Sequence, residues 1–372
     1  MSDTQTSSRI GALAQCHKAL GATFDPWNGM NVPLEYNQDL NDEHRAVRTT
    51  AGLFDVSGLK KVWVTGPDAL EICNHTCTRD LTKIYPGKSV YTVVLNDNGL
   101  IEDDCIMFHM APDCWLVVHS SGSTMSQLEK SAEGRDVTIK FDDHINNIAL
   151  QGPKAVDFMD RYTPVDLPAL PYFHHVATTL FGHDCLISRT GYSGERGYEI
   201  FAAPEHIVPI WNKILENGKD EGIMACSFTC LDMIRVEANL LFYEFDMTDN
   251  DTPWDVGLGF TISKNKAADY RGKAAVMASM KAQKTTTYGL IADADQAMDA
   301  DAKVFCGDKE IGYVTAPLLS SVMNKSIAMF RVDLEFAKPG LAVEVRGENL
   351  TSKAVTSDVP LLDPAKQKRA AA

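Results

Sequence analysis

Apolar positions along the chain switch period in a way that repeats. KVWVTGPDALEICNH (Lys61 to His75) reads as a strand, a Gly-Pro corner and a helix, and NIALQGPKAVDFMDR (Asn147 to Arg161) reads the same way. A proline just inside a helix start uses its fixed φ and sacrifices no bonded N–H, so Gly66-Pro67 and Gly152-Pro153 suit strand-to-helix corners. Strands follow each helix: SVYTVVLND, LIEDDCIMF and CWLVVHS in the first copy, ATTLFGHDCLISRT and GYEIFAA in the second. Each copy closes with an amphipathic helix, STMSQLEKSAEG and PEHIVPIWNKILENG, apolar at three- and four-residue steps. The pattern predicts two related α+β units.

From Thr285 the pattern shortens. YGLIADA, AKVFCGD, KEIGYVTA, SIAMFRVD and LAVEVRG are short strands bounded by Gly, Asp and Pro, which predicts a small antiparallel barrel or sandwich. A helix containing CLDMIRVEANLLFYE and the connection DTPWDVGLGF lead into a basic stretch, SKNKAADYRGKAA, taken as the junction. The expected division is 1–50 with 141–255, an inserted unit 51–140, a connection 256–284, a barrel 285–363 and a disordered tail 364–372.

Composition narrows the function classes. A chain of 372 residues with 45% hydrophobic residues buries sizeable cores, enough for two or three domains. Its net charge of -15 opposes phosphate backbones and anionic lipid, which argues against nucleic acid or a membrane surface as partner. Nine cysteines and a start without a basic-then-apolar pattern point to reduced thiols and a cytoplasmic protein. No apolar run reaches the roughly 18–20 residues that span a bilayer.

Three segments could carry chemistry. In DNGLIEDDC, Asp97-Asn98-Gly99 predicts a hairpin turn, after which Glu102 and Asp104 face one side of a strand and Ile101 and Asp103 the other. A carboxylate there is either a solvated strand end or a buried group awaiting a ligand's N–H or cation. In SRTGYSGERGYEIF three glycines at three-residue intervals interrupt a strand and leave room for a close approach; Glu199, between Tyr198 and Ile200, reads locally as an exposed strand residue or a ligand contact. In IRVEANLLFYEFDMTDNDTPWDVGLGF, Arg235 and Glu237 are too close on a helix to face each other, and the four aspartates Asp246, Asp249, Asp251 and Asp255 lack the EF-hand pattern. The CNHTC and CSFTC spacings put each cysteine pair on one helix face as buried thiols, so no metal is expected. Nucleophile elbows, HExxH and phosphate loops are absent from the sequence.

Taken in order, five motifs resemble the glycine cleavage T-protein family, tetrahydrofolate-dependent aminomethyltransferases, over most of the chain: HKALGATFDPWNGMNVPLEY, HRAVRTTAGLFDVSGL, LNDNGLIEDD, SRTGYSGERGYEI and TPWDVGLGF. The resemblance implies a three-domain cloverleaf around a central folate channel. It implies that Asp104 lies beside the reactive folate nitrogens, that Glu199 accepts two N–H donors from the pterin, and that Tyr91, Tyr172, Tyr192, Tyr243 and the junction residue Phe260 surround the folate. Departures from the family pattern fall at Leu231, Gly58, Phe260 and Asp299, while EFDMTDNDTP resembles the dimethylsulfoniopropionate demethylase branch. The expected reaction is methyl transfer from a small sulfonium or ammonium compound to N5 of tetrahydrofolate, with Asp104 offsetting charge and acting as a base. The alternatives are aminomethyl transfer from a lipoylated carrier and a non-catalytic folate-binding role.

Overall fold

The computed structural model describes residues 8–370. An N-terminal hairpin, Thr23–Trp27 with Met30–Glu35, precedes two mixed α+β units whose sheets share one strand order. The first sheet runs Ser89–Leu95, Ile101–Ala111, Cys114–His119, Lys60–Thr65, Thr138–Phe141. The second runs His175–Leu180, His183–Ser188, Gly197–Ala202, Asn146–Gln151, Gly52–Asp55, with Met224–Ala225 added parallel at its edge. The repeated Gly-Pro corners have a physical basis. Gly66 and Gly152 sit at φ of 130° and 142°, and a Cβ would meet Asp136 O at 2.7 Å in one and Thr50 O at 2.6 Å in the other.

Each unit packs helices on one sheet face. Ala69–Thr76 and Thr124–Ser131 cover a core of Val62, Val64, Ile72, Trp115 and Leu128, while Ala155–Asp160 and Pro204–Gly218 cover Ile148, Leu150, Phe158, Ile200 and Trp211. The C-terminal strands close into a six-stranded antiparallel barrel, Thr285–Ala292, Lys325–Asp333, Lys309–Ser320, Lys303–Cys306, Ala342–Arg346 and Thr351–Ser357. The sixth strand, TSKAVTS, has no apolar run to mark it, because only Ala354 and Thr356 turn fully inward.

A separate apolar cluster joins the regions: Val93 and Ile101 from the hairpin, Val236 and Leu241 around the end of helix Phe228–Glu237, Trp254 and Leu258 from the junction, Ile327 and Met329 from the barrel. Tyr91 and Tyr243 pack against this cluster. The residues before it fold as a capped acidic loop: Asp246 pairs with Arg235, Asp251 with Arg331 at 2.6 Å, and Asp255 accepts from Thr252.

Two expectations fail. The tail expected to be disordered instead packs over its described part, where a short helix, Gln367–Ala370, brings Lys368 Nζ 3.0 Å from Glu195 and lets Arg189 donate to Arg369 O. Residues 371–372 lie outside the described residues. Neither cysteine pair shares a helix: Cys77 is the extended residue that follows Ala69–Thr76, and Cys226 precedes Ser227, which caps Phe228–Glu237.

Candidate functional site

The hairpin turn that carries Asp104 is built by its own side chains: Asn96 Oδ1 accepts from the N–H of Asn98 and Leu100. The following strand buries Ile101, Asp103 and Cys105 toward the helices and presents Glu102, Asp104 and Ile106 on its other face. Asp104 is half-exposed by surface area yet hemmed in by protein, and its Oδ2 accepts from Tyr91 OH at 2.8 Å. Burial, reinforced by the charge of Asp103, pushes its carboxyl up to about 7 against the Tyr91 hydrogen bond.

Tyr91 stacks on Phe260, ring centres 6.4 Å apart and planes 26° apart, and Arg79 lies over the other ring at 5.8 Å. Phe260 remains 61% exposed. Tyr192 reaches the same region from the glycine-rich segment. Its OH donates to Leu241 O at 2.6 Å, and burial, together with the charges of Asp246 and Asp104, holds its proton well above the usual tyrosine range. Tyr243 stands nearer Asp103 and Glu102, its proton likewise held up by burial and by those charges.

Glu199 lies in Gly197–Ala202, a strand buried on both faces, so alternation offers no clue to its environment. Thr190 Oγ1 donates closely to its Oε2, and Asn147 Nδ2 stands 3.5 Å from its Oε1. Burial raises its carboxyl despite both contacts. Asn147 Oδ1 beside it is buried without a partner among the described residues. Two neighbouring acceptors, one weakly bonded and one not bonded, fit a ligand edge that supplies N–H donors. Tyr172 is 42% exposed and near enough for Glu199 and Arg369 to influence its hydroxyl. It lines a cleft with Arg189, Thr190, Leu240 and Arg369.

The glycine spacing has two causes: Gly194 sits at φ of 78° with Ala238 Cβ 2.8 Å from where its own Cβ would be, and Gly191 and Gly197 close on one amide. A Cβ at Gly191 or Gly197 would meet the Gln151 amide at 2.1 and 2.5 Å. The segment therefore wraps Gln151, whose Oε1 accepts from Ser193 at 2.6 Å and whose Nε2 donates to Thr190 O at 3.2 Å. That wrap sends Thr190 onto Glu199 and Tyr192 toward Asp104. Two clusters result, Asp104 with Tyr91, Phe260 and Tyr192, and Glu199 with Thr190, Asn147 and Tyr172.

Sequence reading missed Thr190, Asn147, the Asp103–His119 pair and a buried ionic network beneath the site. In that network Glu237 bonds His44 at 2.9 Å and Arg48 at 2.7 Å, and Arg48 also holds Glu195 at 2.9 Å. Among the described residues, ligand atoms of Glu43, Cys226 and Cys230 lie within 4.8 Å of one another. Glu43 is already engaged by Ser227 N, Ser227 Oγ and Gln38 at 2.7, 2.6 and 2.9 Å.

Comparison with known proteins fits this architecture. Residues 13–266 match the GCVT N-terminal domain and 286–363 the glycine cleavage T-protein C-terminal barrel domain. A heme-dependent oxidative N-demethylase gamma subunit from Ectopseudomonas mendocina is 42% identical, over 98% of this chain and 99% of that one. An aminomethyltransferase from Streptomyces coelicolor is 33% identical over 93% and 96%. The crystal structure of the glycine cleavage system aminomethyltransferase T from Bartonella henselae superposes with a TM-score of 0.85 at 26% identity, covering 96% of this chain and 98% of that chain. The chain belongs to the glycine cleavage T-protein family, a family of one-carbon group transferases. No helix among its described residues is long and apolar enough to cross a membrane.

Proposed function

We propose that the chain binds tetrahydrofolate between Glu199 and Asp104 and loads it with one carbon from a small N-methylated amine. In this reading the carbon arrives at the oxidation level of formaldehyde from an oxidising partner protein. The observation that carries the reading is Asp104, a hemmed-in carboxyl pushed up to about 7, with Oδ2 held by Tyr91. A group balanced near neutral pH serves proton transfer in both directions. Methyl transfer from an onium centre asks chiefly for alignment and a fixed charge. Condensation with a formaldehyde-level carbon removes a proton and expels water, which suits a carboxyl that both takes and returns one. Nitrogen is preferred to sulfur as the donor atom because of the 42% identical relative, which is named for oxidative N-demethylation.

Tetrahydrofolate supplies the nucleophilic nitrogens that accept the carbon. Glu199 Oε1 and Asn147 Oδ1 accept from the pterin edge, and Tyr172, Tyr192 and Phe260 offer aromatic surface to its rings. Asp104 Oδ1, ionised in the active form, takes the proton released at the reacting centre and returns it to the departing water. Tyr91 fixes that carboxylate's orientation. The nine cysteines are all free, in keeping with a cytoplasmic setting.

The test is product mass. The protein with tetrahydrofolate and limiting ¹³C-formaldehyde should give labelled methylenetetrahydrofolate at least about tenfold faster than the same mixture without protein. Sulfonium and methylammonium donors alone should give no methyltetrahydrofolate. Methyltetrahydrofolate from an onium donor would establish direct methyl transfer instead, and ammonia released from an aminomethylated lipoyl carrier would establish the aminomethyl reaction.

A further inference from the structure

Asp103, on the face of its strand opposite Asp104, is fully buried. Its carboxylate accepts four hydrogen bonds: Asp104 N at 2.9 Å on Oδ1, and on Oδ2 His119 Nδ1 at 2.8 Å, Thr124 N at 3.1 Å and Thr124 Oγ1 at 2.6 Å. Room for this cluster depends on Gly122, where a Cβ would lie 2.4 Å from Asp103 Cγ. Since Asp103 is acceptor-only, the proton on the neutral ring sits at Nδ1. His119 Nε2 is then a lone-pair nitrogen, buried and without a partner among the described residues. The ring forms part of the wall of an open cleft of about 410 Å³ with Lys60, Ser123, Met125 and Phe141.

Helix capping alone does not account for His119, because Asp103 caps the helix by accepting from the N–H and hydroxyl of Thr124 without it. The ring is bonded to the carboxylate whose charge acts on Asp104, so a charge on the ring reaches Asp104 through Asp103. We propose that His119 is a positioning residue for the one-carbon transfer: taking up a proton at Nε2 from the cleft, it offsets the charge of Asp103 and so sets how readily Asp104 gives up its own proton. This rests on the reading of Asp104 as the proton-moving group.

The direction is fixed by charge. With His119 neutral, Asp103 stands as a bare negative charge next to Asp104 and favours the protonated carboxyl; with His119 cationic the pair is neutral and Asp104 ionises at lower pH. Other ionisable groups face these three residues. Tyr91, Cys105 and Glu102 come from the same sheet, Lys60 from its neighbouring strand, Tyr192 from the glycine-rich segment, Tyr243 and Glu244 from the junction, and Glu129 from the capped helix. The substitutions below leave all of them in place.

The experiment is the pH–rate profile of turnover for the wild type, His119→Gln and Asp103→Asn, with Asp104→Asn as reference and thermal unfolding as the check on folding. Gln retains an N–H for Asp103 and loses the ring nitrogen Nε2. The acid limb of His119→Gln should move up by about one pH unit, a roughly tenfold loss below the limb that is recovered above it. Asp103→Asn should move the limb down, and KM for tetrahydrofolate should stay within about twofold in both. A His119→Gln profile superimposed on wild type, or lowered by one factor at every pH, would overturn the inference. Should His119→Gln fail to fold, His119→Asn takes its place, with the same shift expected and the same unmoved or uniformly lowered profile overturning the inference. Full turnover in Asp104→Asn would instead remove the reading of Asp104 itself.

Discussion

The two units of this protein place the same residue pair at matching positions with different consequences. Register matches Ile106 opposite Val118 with Leu186 opposite Phe201, which aligns Asp104-Cys105 in the first sheet with Asp184-Cys185 in the second. Both cysteines are buried. Asp184 lies in solvent opposite Thr179, whereas Asp104 is hemmed in by Tyr91, Tyr192 and the junction, with a second carboxylate one residue away. The converse holds for Glu199, whose counterpart in the first sheet is the buried Leu116, opposite Trp63. The shared fold therefore supplies positions, and the packing of the third region against one unit converts a surface aspartate into a group with altered proton affinity.

The largest expected effect breaks that pairing directly. Asp104→Asn should lower turnover by about 100-fold or more with tetrahydrofolate affinity within a few-fold, while Asp184→Asn should leave turnover within about twofold. Comparable losses in both variants would mean that the environment of Asp104 is irrelevant. Next in size, Glu199→Gln keeps the shape but loses the charge-assisted acceptor, and should weaken tetrahydrofolate binding by about tenfold, measured by fluorescence titration. The stability effect is smaller and opposite in sign to the activity effect. A carboxyl raised in the folded state contributes fully below about 4, and the contribution is lost as pH rises toward about 7, so above 7 the ionised Asp104 is a burden. Asp104→Asn should accordingly melt a few degrees higher than wild type at pH 8 and show no gain at pH 4, by calorimetry. Smallest, Tyr91→Phe removes a bond that favours ionised Asp104, and should cost a few-fold in turnover at pH 7 and little at pH 9.

What could be read from sequence follows from how local each cause is. The Gly-Pro corners, the Asn96 turn and the helix Pro204–Gly218 are written within a few consecutive residues, and their patterns stand out. Thr351–Ser357 carries too few apolar residues to announce a strand, and it is one because its neighbours close a barrel. Glu199 shows no alternation because its strand is covered on both faces. His119 and Asp103 are 16 residues apart and meet only through sheet register. The glycine spacing is visible, but its causes come from afar: the Gln151 amide at Gly191 and Gly197, and Ala238 at Gly194. Gly58, which departs from the family pattern, is explained by Trp27, whose ring lies 2.4 Å from where its Cβ would be.

The central claim is that Asp104 moves a proton during one-carbon transfer to tetrahydrofolate. It is tested most directly by the single-turnover transfer rate of wild type and Asp104→Asn across pH 5.5 to 9. The wild-type rate should rise through about pH 7 and level off, with the variant far lower and flat. A wild-type rate that does not change through pH 7, matched by the variant, would contradict it.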